Sequence, residues 1–116
     1  MESVYVFISA GRFRSFEEMR AYIDETYAQD GDGIASAFMR EVDLSDYEPG
    51  CIEAVCSERV ISVAELLKGA SYSDQWLDQL NSLRQADAAI CVFAPNVVRD
   101  PKSCSLEYCG EFKYRP

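Results

Sequence analysis

Residues 88–94, Ala-Ala-Ile-Cys-Val-Phe-Ala, form an unbroken apolar run of strand length. A strand without polar alternation is at home only where both of its faces are buried, so the fold has to cover it from two sides. Residues 4–8, Val-Tyr-Val-Phe-Ile, are β-branched and aromatic and read as a second buried strand. From Leu106 the pattern changes to strict alternation. Leu106, Tyr108, Gly110, Phe112 and Tyr114 share one face, and Glu107, Cys109, Glu111 and Lys113 the other. The short connection predicts that this last strand pairs antiparallel with residues 88–94.

Between these strands the periodicity is helical. Ser15 followed by Glu18 is a capping box, and Phe16, Met19, Ile23 and Tyr27 continue it as one apolar stripe that Gly31 and Gly33 end. Ile34, Phe38 and Val42 recur at four-residue spacing and predict a short helix from about Ser36. Residues 45–50 read as a loop, and residues 51–56 as a short strand or a helical turn. Ser62 with Glu65 opens another capped helix, stopped by Gly69. A further helix starts near Ser73, with Trp76, Leu77, Leu80 and Leu83 as its buried side. The class is α+β (mixed α/β): a small, largely antiparallel mixed sheet packed against several helices. With 116 residues and 48 % apolar side chains, the chain reads as one domain over residues 1–116.

Charge is unevenly spread. The chain carries −9 in all. Residues 17–53 alone hold Glu17, Glu18, Asp24, Glu25, Asp30, Asp32, Glu41, Asp43, Asp46, Glu48 and Glu53 against Arg20 and Arg40, which also comes to −9. The rest is close to neutral. An acidic run of this kind is either a solvated face or a surface complementary to a basic partner. A pI near 4.4 argues against nucleic acid as a ligand and against anionic membranes. No stretch approaches the ~18 apolar residues of a membrane span, and Glu2 directly after Met1 does not resemble an export leader. A cytoplasmic location is expected, with reduced thiols at Cys51, Cys56, Cys91, Cys104 and Cys109.

Few chemistries remain. There is no histidine, which removes Ser-His-Asp, Cys-His and His-metal arrangements together. Asp30-Gly-Asp32-Gly starts like a calcium loop, but Ala35 stands where the loop needs glycine. The cysteine spacings are too wide for zinc knuckles. Gly31, Gly33 and Gly50 match no phosphate-binding loop. No catalytic residue, metal or cofactor is expected, and the chain is not read as an enzyme. Tyr47 and Tyr72 stand out instead, each in a polar segment (Asp46-Tyr47-Glu48 and Ser71-Tyr72-Ser73) where tyrosine suits an interface anchor.

Several segments together resemble one family. Gly11-Arg-Phe13-Arg-Ser15-Phe-Glu17-Glu18 with Tyr22 is similar to the opening of the immunity protein 22 family of bacterial polymorphic-toxin systems. Ile52-Glu53-Ala54, Ser62-Val-Ala-Glu65-Leu66-Leu67 and Ser71-Tyr72-Ser73 resemble its middle block, and Gly110-Glu111-Phe112-Lys113-Tyr114 its closing strand. The order of the motifs carries the resemblance. It implies a small α+β cytoplasmic protein that binds and neutralises a cognate toxin, without catalytic residues or cofactor.

The expected function is stoichiometric blocking of a secreted or contact-delivered toxin with a basic surface, such as a nuclease cleft. Asp24, Glu25, Asp43, Asp46, Tyr47, Glu48 and Tyr72 are the expected contacts. The alternatives are an acidic adaptor or effector chaperone that binds a basic protein without inhibiting it, and a small carboxylate enzyme. The oligomeric state is not legible.

Overall fold

In the computed structural model, residues 1–45, 47–80 and 83–116 are described. In chain order the elements are β1 (Glu2–Ser9), α1 (Phe16–Ile23), β2 (Thr26–Tyr27), β3 (Gly33–Ile34), α2 (Ala37–Glu41), β4 (Leu44–Ser45), β5 (Ile52–Ser62), α3 (Val63–Leu67), α4 (Ser73–Trp76), β6 (Gln85–Phe93), β7 (Val97–Val98) and β8 (Glu107–Tyr114). Short 3-10 turns lie at Pro49–Cys51, Leu77–Gln79 and Pro101–Ser103. The main sheet has the order β5-β6-β1-β8, and every neighbouring pair is antiparallel.

The two apolar runs are the two central strands. Their alternate side chains build two separate cores, one on each face. Val4, Val6, Ile8, Ala89, Cys91 and Phe93 pack under α3 and Trp76. Phe7, Ala88, Ile90 and Val92 pack under Met19, Tyr22 and Ile23 of α1 and Phe38 of α2. Helices on both faces are what an apolar strand without alternation requires.

Pairing departs from the sequence reading at β8, which lies against β1 and not against residues 88–94. Both edges of β6 are already taken, by β1 and by β5. The connection after β6 runs beneath the α1–α2 side: β7 pairs with β4, and the Asp100 amide donates to the Val42 carbonyl at 2.9 Å. That path carries the chain past β1 to its free edge.

The alternation of β8 is interrupted as well. Its register against β1 shifts where Val6 faces Gly110 and Phe7 faces Tyr108. Gly110 has φ +137°, a conformation glycine adopts without strain, and this bulge turns the strand over. Leu106 and Tyr108 therefore pack in the α1–α2 core, while Cys109, Phe112 and Tyr114 join the α3–α4 core.

One open segment is resolved and two helices end earlier than their apolar stripes predict. Cys51 ends a 3-10 turn, and residues 52–56 open an eleven-residue edge strand, β5, with its own irregularity between Cys56 and Ile61. The first helix stops at Ile23, so Tyr27 falls in a small hairpin and is 69 % exposed. Likewise α4 lasts four residues before tightening into a 3-10 turn, and Leu83 is 86 % exposed where the helical stripe had placed it inside. Trp76 holds the expected position: it is fully buried, it stacks on Phe112 at 6.2 Å, and its Nε1 donates to the Ser71 carbonyl at 3.0 Å.

Candidate partner-binding surfaces

The acidic segment occupies α1, the β2–β3 hairpin, α2 and the connection into β5. Ser15 Oγ accepts from the Glu18 amide at 3.1 Å, as the capping box requires. The return bond reaches one residue further out, from the Arg14 amide to Glu18 Oε2 at 3.1 Å. Glu17 and Glu18 are exposed in this first turn, where the helix dipole favours negative charge.

At the other end of α1, Asp24 is the C-cap, and its carboxylate is ion-paired with Arg20 one turn back. Glu25 follows it into a tighter setting. A Cβ built on Gly33 would lie 2.9 Å from Glu25 Oε2, so the carboxylate rests directly against the hairpin backbone at this glycine. The Tyr27 hydroxyl bonds to Glu25, and that neighbouring charge raises the phenol above its ordinary value. The Glu25 amide points at the Tyr47 hydroxyl at 3.5 Å. Tyr47 is thus half-buried and packs against the α1–α2 core, where the sequence suggested free exposure. The loop of the hairpin presents Asp30 and Asp32, both exposed, with the Asp32 amide donating to Asp30 Oδ1 at 3.0 Å.

Asp43 and Glu48 lie beyond α2. Asp43 is exposed with φ +50°, a left-handed residue held by the Arg99 amide on its carbonyl at 3.4 Å. Glu48 is exposed and caps the next turn, its Oε1 accepting from the Gly50 amide at 3.2 Å. Asn96, only 2 % exposed, clamps the Glu48 backbone from both sides: its Oδ1 accepts the Glu48 amide at 2.7 Å, and its Nδ2 donates to the Glu48 carbonyl at 3.0 Å. Its one signal in the sequence is a polar side chain directly after a buried strand. Asp46 lies outside the described residues.

Not every acid is available to a partner. Glu41 accepts from the Tyr22 hydroxyl at 2.6 Å and the Ser105 amide at 2.8 Å, tying α1, α2 and the approach to β8 together. Burial alone would raise its pKa. The Tyr22 and Ser105 hydrogen bonds, helped by the Arg12 charge, outweigh that and hold the carboxyl below its ordinary 4.5. Glu53 points to the opposite face of the sheet, where it accepts from the Ser71 amide at 3.0 Å and from the Ser71 hydroxyl. Among the described residues, Asp24 alone of the acids from 17 to 53 takes part in an ion pair.

Tyr72 is set apart from the other expected contacts. It precedes α4 at φ +58°, on the α3–α4 side, and its ring stacks on Tyr114 at 4.7 Å. With Glu53, Glu2, Phe93, Pro95 and Tyr114 it lines a cleft of about 410 Å³ at one end of the sheet. The six expected contacts that are described therefore divide: Asp24, Glu25, Asp43, Tyr47 and Glu48 on one side, and Tyr72 on the other.

Among the described residues, no group of three or more His, Cys, Asp or Glu is placed to hold a metal ion, and no helix is long and apolar enough to cross a membrane. The class is that of a small α+β protein whose four-stranded antiparallel sheet carries helices on both faces. The family model described as Immunity protein 22 matches residues 6–115, and the chain belongs to that family. No curated protein and no solved structure matches it. The family is generally non-enzymatic, and its general role is to neutralise a toxin, which is the partner it implies.

Proposed function

We propose that this chain is a cytoplasmic immunity protein that binds a cognate secreted or contact-delivered toxin at a basic surface and blocks it stoichiometrically. The observation that carries this reading is the concentration of the whole formal charge of −9 in residues 17–53, with Glu17, Glu18, Asp30, Asp32, Asp43 and Glu48 exposed and without ion pairs among the described residues. Uncompensated carboxylates on a preformed surface steer a basic partner and reject acidic ones. The substrate cleft of a nuclease suits such a surface, since carboxylates there occupy the places of phosphates. Asp24, Glu25, Asp43, Asp46, Tyr47, Glu48 and Tyr72 are the proposed contacts, and the inhibitor performs no chemistry of its own.

Co-expression with the cognate toxin tests the reading. Cells survive if the chain neutralises that toxin. Binding without rescue would instead favour an adaptor or chaperone that leaves its partner active. The electrostatic part is read from the association rate, which falls steeply with ionic strength if the acidic surface steers encounter. A rate indifferent to salt removes that part.

A further inference from the structure

We propose that the cleft at the end of the sheet is a socket for one arginine side chain projecting from a partner protein, separate from the acidic surface on the α1–α2 side. The reading of the chain as a toxin binder supplies only the identity of that partner.

The cleft has a volume of about 410 Å³, and three aromatic residues, Tyr72, Phe93 and Tyr114, contribute to its lining. Tyr72 stacks on Tyr114 with ring centroids 4.7 Å apart, and Phe93 meets Tyr114 edge-on at 5.5 Å. Two carboxylates line the same space, Glu2 from the start of β1 and Glu53 from the start of β5. Glu53 is held by two uncharged donors, the amide and the hydroxyl of Ser71, which orient it without neutralising it. Among the described residues no lysine or arginine lines the cleft, and neither glutamate takes part in an ion pair. The outcome is a concave site with two negative charges, aromatic surface and no internal cation.

Such a site matches a guanidinium better than any other common side chain. The group is planar and permanently charged, stacks on aromatic faces and donates to carboxylates in a fixed fork. Partial exclusion of water strengthens the attraction over its value at an open surface. Tyr72 is 39 % exposed at the mouth, so its ring is reachable from solvent. The wall is also pre-set: the Ser71 carbonyl accepts from the buried Trp76 indole, which fixes the 71–72 segment before any partner arrives.

The test uses the full chain, isotope-labelled, titrated with acetyl-Gly-Arg-Gly-amide and with the same peptide carrying citrulline, the neutral isostere. The arginine peptide is expected to shift the amide signals of Glu53, Ser71, Tyr72, Phe93 and Ala94 saturably, and the citrulline peptide to bind at least about tenfold more weakly. Tyr72→Gly removes the ring while keeping a backbone that glycine adopts freely at φ +58°. It should weaken the arginine peptide about fivefold or more with the folded spectrum retained, and Glu2→Gln about threefold. Equal binding of the two peptides, shifts elsewhere on the surface, or full affinity in folded Tyr72→Gly overturns the socket. Failure to rescue cells from the toxin, with the arginine titration intact, removes the toxin reading and leaves the socket standing. Rescue without peptide binding does the reverse.

Discussion

The two sides of the sheet handle negative charge in opposite ways. On the α1–α2 side the carboxylates are many, mostly exposed and mostly attached to turns, with Asp24, Glu25 and Glu41 engaged by neighbouring groups. On the α3–α4 side, by contrast, Glu53 is fixed by Ser71 beside a cleft that Tyr72, Phe93 and Tyr114 help to line. The first arrangement suits long-range attraction, which depends on net charge and little on geometry. The second suits a short-range contact, which depends on where one carboxylate points. Counting acids along the chain finds the first kind and misses the second.

Removing the core of either side is the largest way to break this comparison. Phe7 meets Phe38 at 5.3 Å and Tyr108 at 5.2 Å, so Phe7→Ala empties the α1–α2 side. Trp76→Ala empties the other. Each should cost about 3–5 kcal/mol in urea unfolding. Because the cores are separate, hydrogen exchange should rise first in α1 and α2 for Phe7→Ala, and first in α3 for Trp76→Ala. Equal loosening of both sides in each variant would show that they act as one.

Asn96→Ala should come next. It strands the Glu48 amide and carbonyl, for about 1–3 kcal/mol, and frees the Glu48 turn for faster exchange. Glu41→Gln is smaller, about 1–2 kcal/mol at neutral pH, and has a pH signature. The folded pKa of Glu41 lies below its ordinary 4.5, so its contribution is complete above that value and is lost as pH falls through the folded one. The difference between wild type and Glu41→Gln should therefore shrink below about pH 4.5, measured by denaturant melts across pH. A constant difference would sink the assignment. The smallest effect belongs to the Asp24–Arg20 pair, a partly exposed surface bridge. Asp24→Asn should cost about 0.5 kcal/mol or less, fading with added salt in a thermal melt.

Most elements were legible, for reasons that lie within a few residues. Ser15, Ser36 and Ser62 each start a helix because a hydroxyl three residues before an amide can accept from it. Residues 4–8 and 88–93 lie in strands because nothing charged interrupts them. The errors fall where distant residues intervene. Tyr27 fits the stripe of α1, but the chain leaves the helix at Asp24 to form the hairpin whose backbone Glu25 rests against. Tyr47 looked exposed between two acids, and its ring nonetheless reaches the core. The division of Tyr72 from the other proposed contacts was invisible, since spacing along a chain does not say which face of a sheet a connection crosses.

From its residues alone this chain specified helix caps, two central strands, the location of its charge and the lack of any histidine. Each of those follows from neighbours in sequence or from composition. The tertiary structure alone decided that β8 lies beside β1, that Gly110 turns that strand over, and that Glu41 and Glu53 become internal acceptors on opposite faces. Those outcomes depend on which edges are already occupied and which donors come within 3 Å from remote segments. Two carboxylates of the same acidic run therefore meet opposite surroundings.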